Sequence, residues 1–121
     1  MFAFDSSAII EIIKDNKQVI EKYKDAPVIT INLVYGEVYY YCLKTNLDKA
    51  VLERVNFEIL AYTKEDIEEA MELLYRRKKE TKDFSFVDAM IYVTAKNNEL
   101  VLVTKDYGFK GLAGVEFIEA R

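Results

Sequence analysis

The chain opens on a short apolar run, Phe2-Ala3-Phe4, that stops at Asp5. Ser6 and Ser7 follow as natural helix caps. Ala8, Ile9, Ile12 and Ile13 then recur at helical spacing. This pattern predicts a strand and then a helix, with Asp5 at the junction. Val19, Ile20 and Tyr23 predict a second short helix. Pro27 interrupts, and the β-branched run over 28–31 predicts a second strand. Helices are expected over about 32–44 and 47–55, followed by a short strand over 57–60. Thr63-Lys64-Glu65-Asp66 has the capping-box form, and the helix it opens carries Ile67, Ala70, Met71 and Leu74 on one face. Ser85 caps a helix that reaches Lys96. A strand over 100–103, a turn over 105–108 and a last strand over 115–118 complete the pattern.

Strands and helices alternate throughout. That order predicts an α/β fold of three layers, α/β/α, with a central parallel sheet covered on both faces. In such sheets ligands bind beyond the carboxyl ends of the strands. Asp5 and Asp106 each fall just past the end of a predicted strand, so the architecture would bring them to one edge. The length of 121 residues suits a single domain over 1–121. Four Gly and one Pro leave little material for long loops.

Composition narrows the chemistry. The net charge of -4 argues against simple electrostatic wrapping of nucleic acid, although bound cations can supply the missing positive charge. The absence of His removes Ser-His-Asp chemistry and imidazole ligation, and the single Cys42 reads as a packing residue. Chemistry is left to carboxylates, Lys, Tyr, Ser or Thr. The first residues carry no basic, signal-like segment, and no apolar run approaches the ~18 residues of a membrane span. A cytoplasmic protein without a membrane partner is the expectation.

Most of the 21 acidic residues suit solvated positions; those near the start of the helix opened at Thr63 complement its dipole. Glu37 stands apart. Its neighbours three and four residues away are Leu33, Val34, Tyr40 and Tyr41, so a helix would aim it with an apolar stripe. An unpaired buried carboxylate costs roughly several kcal/mol, so such a group is usually paired, protonated or bound to a metal. The alternative is a Glu on the helix edge with its head in water. Asp88 has Phe84, Ser85, Ile91 and Tyr92 around it, and reads equally as the acidic member of a capping box. Asp5 is also a good N-cap, and Asp106-Tyr107-Gly108 is also good turn chemistry. The four acids together, without His or Cys, form an oxygen-only donor set suited to Mg2+ or Mn2+.

These residues resemble the PIN-domain family, and within it the small VapC-type toxins. The resemblance lies in Phe2-Ala3-Phe4-Asp5-Ser6-Ser7, Tyr35-Gly36-Glu37-Val38, Ser85-Phe86-Val87-Asp88-Ala89 and Leu102-Val103-Thr104-Lys105-Asp106-Tyr107-Gly108-Phe109. It implies a PIN-like α/β/α fold and an Mg2+- or Mn2+-dependent endoribonuclease, with Asp5, Glu37, Asp88 and Asp106 as catalytic and metal-binding acids. It implies hydroxyls at Ser6 and Thr104 that orient carboxylates by hydrogen bonds, an RNA substrate, a separately encoded antitoxin as partner, and a homodimer. Tyr39-Tyr40-Tyr41 is either an interface or a partly exposed helix face. Arg76-Arg77-Lys78-Lys79 is the only dense cationic run, and reads as an RNA contact or as a solvated helix end.

Other readings meet specific obstacles. A haloacid-dehalogenase-type phosphatase wants a second Asp two residues after the first, where this chain has Ser7. A response-regulator receiver wants an acidic pair before the first helix. A PIN-like binding module without catalysis would not need all four acids.

Overall fold

The computed structural model describes residues 1–119. Five strands form one all-parallel sheet: β1 (Phe2–Phe4), β2 (Val28–Ile31), β3 (Phe57–Leu60), β4 (Val101–Thr104) and β5 (Val115–Phe117). Their spatial order is β3-β2-β1-β4-β5. Between them run α1 (Ser6–Ile13), α2 (Lys17–Tyr23), α3 (Asn32–Lys44), α4 (Ala50–Glu53), α5 (Lys64–Arg77) and α6 (Phe86–Asn97), with a 3-10 turn at Tyr107–Phe109. The result is the three-layer α/β/α arrangement expected from the alternation. No helix among the described residues is long and apolar enough to cross a membrane.

Burial explains the strand types. Every residue of β2 is buried, as befits a parallel strand covered on both faces. The edge strand β3 leaves Glu58 and Ile59 exposed. In α6, Ala89 through Ala95 are all buried. A helix apolar around its whole circumference must be enclosed; here β1, β2 and β4 lie against it, and it also packs against α5. Cys42 is buried in the core, as its packing role requires.

Helix starts follow local chemistry. Thr63 and Ser85 each form a complete capping box, with Asp66 and Asp88 as the reciprocating acids. The first helix departs from expectation: Asp5, not a serine, is its N-cap, and accepts from the Ala8 amide. The helix expected over 47–55 shrinks to Ala50–Glu53. Its cap at Lys49 makes no side-chain hydrogen bond, and so short a segment has little helical stability of its own.

Among the described residues, one buried charge lies outside the acid set. Glu11 accepts from Asn16 Nδ2 at 3.0 Å and from Lys105 Nζ at 3.1 Å. The Asn16 bond first, opposed by burial and aided by the lysines, holds its carboxyl below the usual range. The pair draws Lys105 to the side of α1.

Candidate active site

The chain reverses direction across the sheet at β1. From β1 it steps to β2 on one side, while β4 occupies the other. A crevice opens beyond the carboxyl ends of strands at such a switch point. Asp5 follows β1 and Thr104 ends β4, so both reach this crevice because of the strand order.

Asp5 is 3 % exposed and tightly held. Its Oδ1 accepts from Ser7 Oγ at 2.8 Å and from the Ala8 amide at 3.0 Å. Its Oδ2 accepts from the Thr104 hydroxyl, 99 residues along the chain. Thr104 Oγ also accepts from the Asp106 amide at 2.9 Å, and Ser7 Oγ from the Lys105 amide at 2.9 Å. Two hydroxyls therefore lace the end of β1 to the end of β4. Burial pushes the Asp5 carboxyl up to about 6; the Thr104, Ala8 and Ser7 bonds oppose the rise, and the nearby Asp88 charge adds to it.

Asp88 serves two ends at once. Its Oδ2 accepts from the Ser85 amide at 2.9 Å and closes the capping box of α6. The same side chain is desolvated enough to raise its pKa, against the Ser85 bonds and with help from Asp106. Its charge in turn raises both Asp5 and Glu37. Asp88 is thus the electrostatic hub of the set.

Asp106 caps the turn at Tyr107–Phe109. Its Oδ1 accepts from the Gly108 amide at 2.8 Å. A Cβ at Gly108 would lie 3.2 Å from that oxygen, so a larger residue there would push the acid aside by a few tenths of an ångström.

Glu37 differs from the sequence expectation. The buried stripe of α3 is Val34, Val38 and Cys42, and Glu37 stands on its shoulder as an exposed residue. Its inner edge still loses water. Partial desolvation raises its pKa, the Ser6 hydroxyl opposes this, and Asp88 adds to it. Ser6 therefore serves Glu37, and Ser7 is the serine bonded to Asp5. A cleft of about 480 Å³ bordered by Ser6, Gly36, Glu37, Tyr40 and Lys44 adjoins this acid.

The basic run divides. Arg77 donates to the Gly108 carbonyl at 2.7 Å and to the Lys110 carbonyl at 2.9 Å, and its guanidinium lies 5.0 Å over the Phe84 ring. Phe84 packs edge-on against Phe109 and immediately precedes Ser85. Arg77 thereby braces both acid-bearing segments, Asp106–Gly108 and Ser85–Asp88. Arg76, Lys78 and Lys79 are exposed.

None of the four acids takes part in an ion pair among the described residues. No three acidic or thiol side chains among those residues stand close enough to be a formed metal cage. The donor chemistry nonetheless fits a hard divalent cation: the four acids offer only oxygens, make no ion pair among the described residues, and three of them are held above their usual pKa. A cation would offset the desolvation that burial imposes and the smaller repulsion between the acids.

The profile of the PIN domain matches residues 2–115. Among curated protein sequences, none matches this chain. Solved structures share its fold at low identity. VapC20 of Mycobacterium tuberculosis, described as a sarcin-ricin loop cleaving toxin, superposes with a TM-score of 0.76 at 19% identity, covering 96% of this chain and 98% of that one. A chain of VapBC2 from Rickettsia felis, bound to a promoter DNA fragment, gives 0.75 at 15% identity over 99% and 98% of the two chains. A toxin-antitoxin complex from Klebsiella pneumoniae gives 0.74 at 20% identity over 96% of each. With its profile match running from the first strand to the last, this chain belongs to the PIN-domain family.

Proposed function

We propose that this chain is a divalent-metal-dependent endoribonuclease of the VapC-toxin type, acting in the cytoplasm and restrained by a cognate antitoxin. The observation that carries the reading is that Asp5, Glu37, Asp88 and Asp106 form no ion pair among the described residues and are coupled through Asp88. The family membership supports nuclease chemistry. The toxin descriptions of the structural neighbours support the toxin and antitoxin parts.

Asp5, Glu37, Asp88 and Asp106 would hold Mg2+ or Mn2+. When bound, such an ion supplies a Lewis acid for the phosphodiester and lowers the pKa of its water. The chain's own residues prepare the place. Thr104 and Ser7 fix the Asp5 carboxylate by hydrogen bonds, so its orientation precedes binding. The second oxygen of Asp88 is left free by the capping box, and Oδ2 of Asp106 by its turn. Neither Cys42, which is buried, nor an activated hydroxyl is needed as a nucleophile. Bound cations also offset the net charge of -4 when a polyanion approaches.

The test is cleavage of single-stranded RNA with Mg2+ or Mn2+, with and without EDTA. Activity should disappear on chelation and in Asp5→Asn. Cleavage that survives either change refutes the reading. Mn2+ should also raise the melting temperature of the unsubstituted chain, since a ligand that binds only the native state stabilises it. A chain stabilised by metal that cuts no RNA would be a binding module instead. The homodimer belongs to the same reading and is checked by light scattering.

A further inference from the structure

The turn that follows Asp106 presents one large side chain outward. Tyr107 is 74% exposed, more than any other large apolar side chain among the described residues. Exposure alone is not a site: Tyr75 is 70% exposed, and its ring is merely capped by the Lys79 ammonium at 4.7 Å. Tyr107 differs in what holds it. Its ring stacks on Phe117 of β5, with centroids 5.5 Å apart and planes 24° from parallel. Its backbone is pinned from several directions. The Lys110 amide donates to its carbonyl at 2.9 Å, the Gly108 amide donates to Asp106, and Arg77 clamps the Gly108 and Lys110 carbonyls. Phe109, next but one, is buried against Phe84. The ring is therefore a rigid aromatic plate, backed on one side and open to solvent, one residue from a site acid.

We propose that Tyr107, backed by Phe117, is a stacking platform for an unpaired nucleobase beside the phosphate held at the acid site. The platform would hold one unpaired base of the single-stranded substrate; this rests on the ribonuclease reading above. Every base offers a π-face, so stacking gives affinity without sequence demand and without cations. That matters here, because the chain is acidic and its basic run is partly spent on bracing the turn. Bases within a duplex are already stacked and cannot reach the plate. Phe86, two residues before Asp88 and 45% exposed, and Tyr40, one helical turn past Glu37 and 65% exposed, give two other acids an exposed aromatic close by.

The chain contains no Trp, so Tyr107→Trp installs a sole indole as reporter. The probe is a random-sequence pool of short single-stranded RNA, compared with the same pool annealed to its complement, mixed rapidly in Mg2+ buffer. Indole emission should change with the single strands and not with the duplex. Tyr107→Ala should raise KM by about 5- to 150-fold, the range that loss of one base–aromatic stack produces, with a smaller change in kcat. Tyr107→Phe and Tyr107→Trp should keep KM near its original value. Unchanged KM in Tyr107→Ala overturns the platform while leaving the nuclease standing. So does indole emission that ignores single strands that are nevertheless cut. Loss of self-association or of antitoxin binding in Tyr107→Ala, with KM intact, would reassign the plate to a protein contact. An unsubstituted chain that neither binds nor cuts the pool overturns the ribonuclease reading and the platform with it.

Discussion

A buried carboxylate held near pKa 6 is a standing cost to the fold, and Asp5→Asn should recover part of it. The rise from the usual 3.8 to about 6 corresponds to about 3 kcal/mol, at about 1.36 kcal/mol for each tenfold change in proton affinity. The sign is fixed by linkage. Between those values the folded chain holds a proton that the unfolded chain releases, so the contribution of Asp5 to stability is greatest below about pH 4 and falls as pH rises through 6. Asparagine removes the charge and keeps most of the geometry. Its carbonyl can accept from Ser7 and Ala8, while its amide can donate to the Thr104 hydroxyl oxygen, which then donates to Ser7 Oγ, 3.2 Å away. We expect Asp5→Asn to be more stable by about 1–3 kcal/mol at pH 8 in EDTA, after allowing about 1 kcal/mol for altered hydrogen bonds. The advantage should shrink towards zero at pH 4. Urea titrations of both proteins at pH 4, 6 and 8 measure it. Mn2+ at 100 times its dissociation constant should then return about 2.7 kcal/mol to the unsubstituted chain and little to the variant. A variant no more stable at pH 8, or a difference that does not vary with pH, would refute the claim that desolvation of Asp5 loads this site.

Two further substitutions test the supports of the site. Thr104→Val keeps the volume of a wholly buried side chain but strands Asp5 Oδ2 and the Asp106 amide. It should cost about 2–3 kcal/mol and should raise the Asp5 pKa further, so that urea midpoints at pH 5 and pH 8 differ more than in the parent. Arg77→Ala should cost about 2 kcal/mol and speed hydrogen exchange at the Lys110 and Leu112 amides, which close the turn. Arg77→Lys should rescue little, because a point charge cannot span two carbonyls as a guanidinium does. Exchange rates unchanged in Arg77→Ala would show that the turn stands without its clamp.

The order of elements was legible because strand and helix periods differ so plainly here. Helix α3 runs over Asn32–Lys44, the span its pattern predicts, and Ser85-Phe86-Val87-Asp88 folds as the capping box its spacing suggests. Local chemistry was harder to assign where two residues could play one part. Ser6 and Ser7 are adjacent hydroxyls about 100° apart on a helix, and only the direction of α1 decides that Ser7 meets Asp5. Glu37 has apolar neighbours along α3, but the stripe that the fold buries is centred on Val34, Val38 and Cys42. Tertiary packing chose among several apolar faces of one helix. Arg77 carried no sequence signal that set it apart from Arg76 or the two lysines beside it, since its carbonyl partners lie more than thirty residues further on.

That separation in sequence bears on how the protein is made. Asp5 is made 99 residues before Thr104, one of the two hydroxyls that orient it, which ends the strand that must pair with the far side of β1. At about 5–20 residues per second, a ribosome needs roughly 5–20 s to cover that distance. For most of that interval β1 has its neighbour β2 on one side and nothing on the other. A nascent chain therefore carries only part of its acid set, in a sheet not yet closed at its middle. If the finished protein cuts RNA, its chemistry is withheld by topology until β4 has been made and docked.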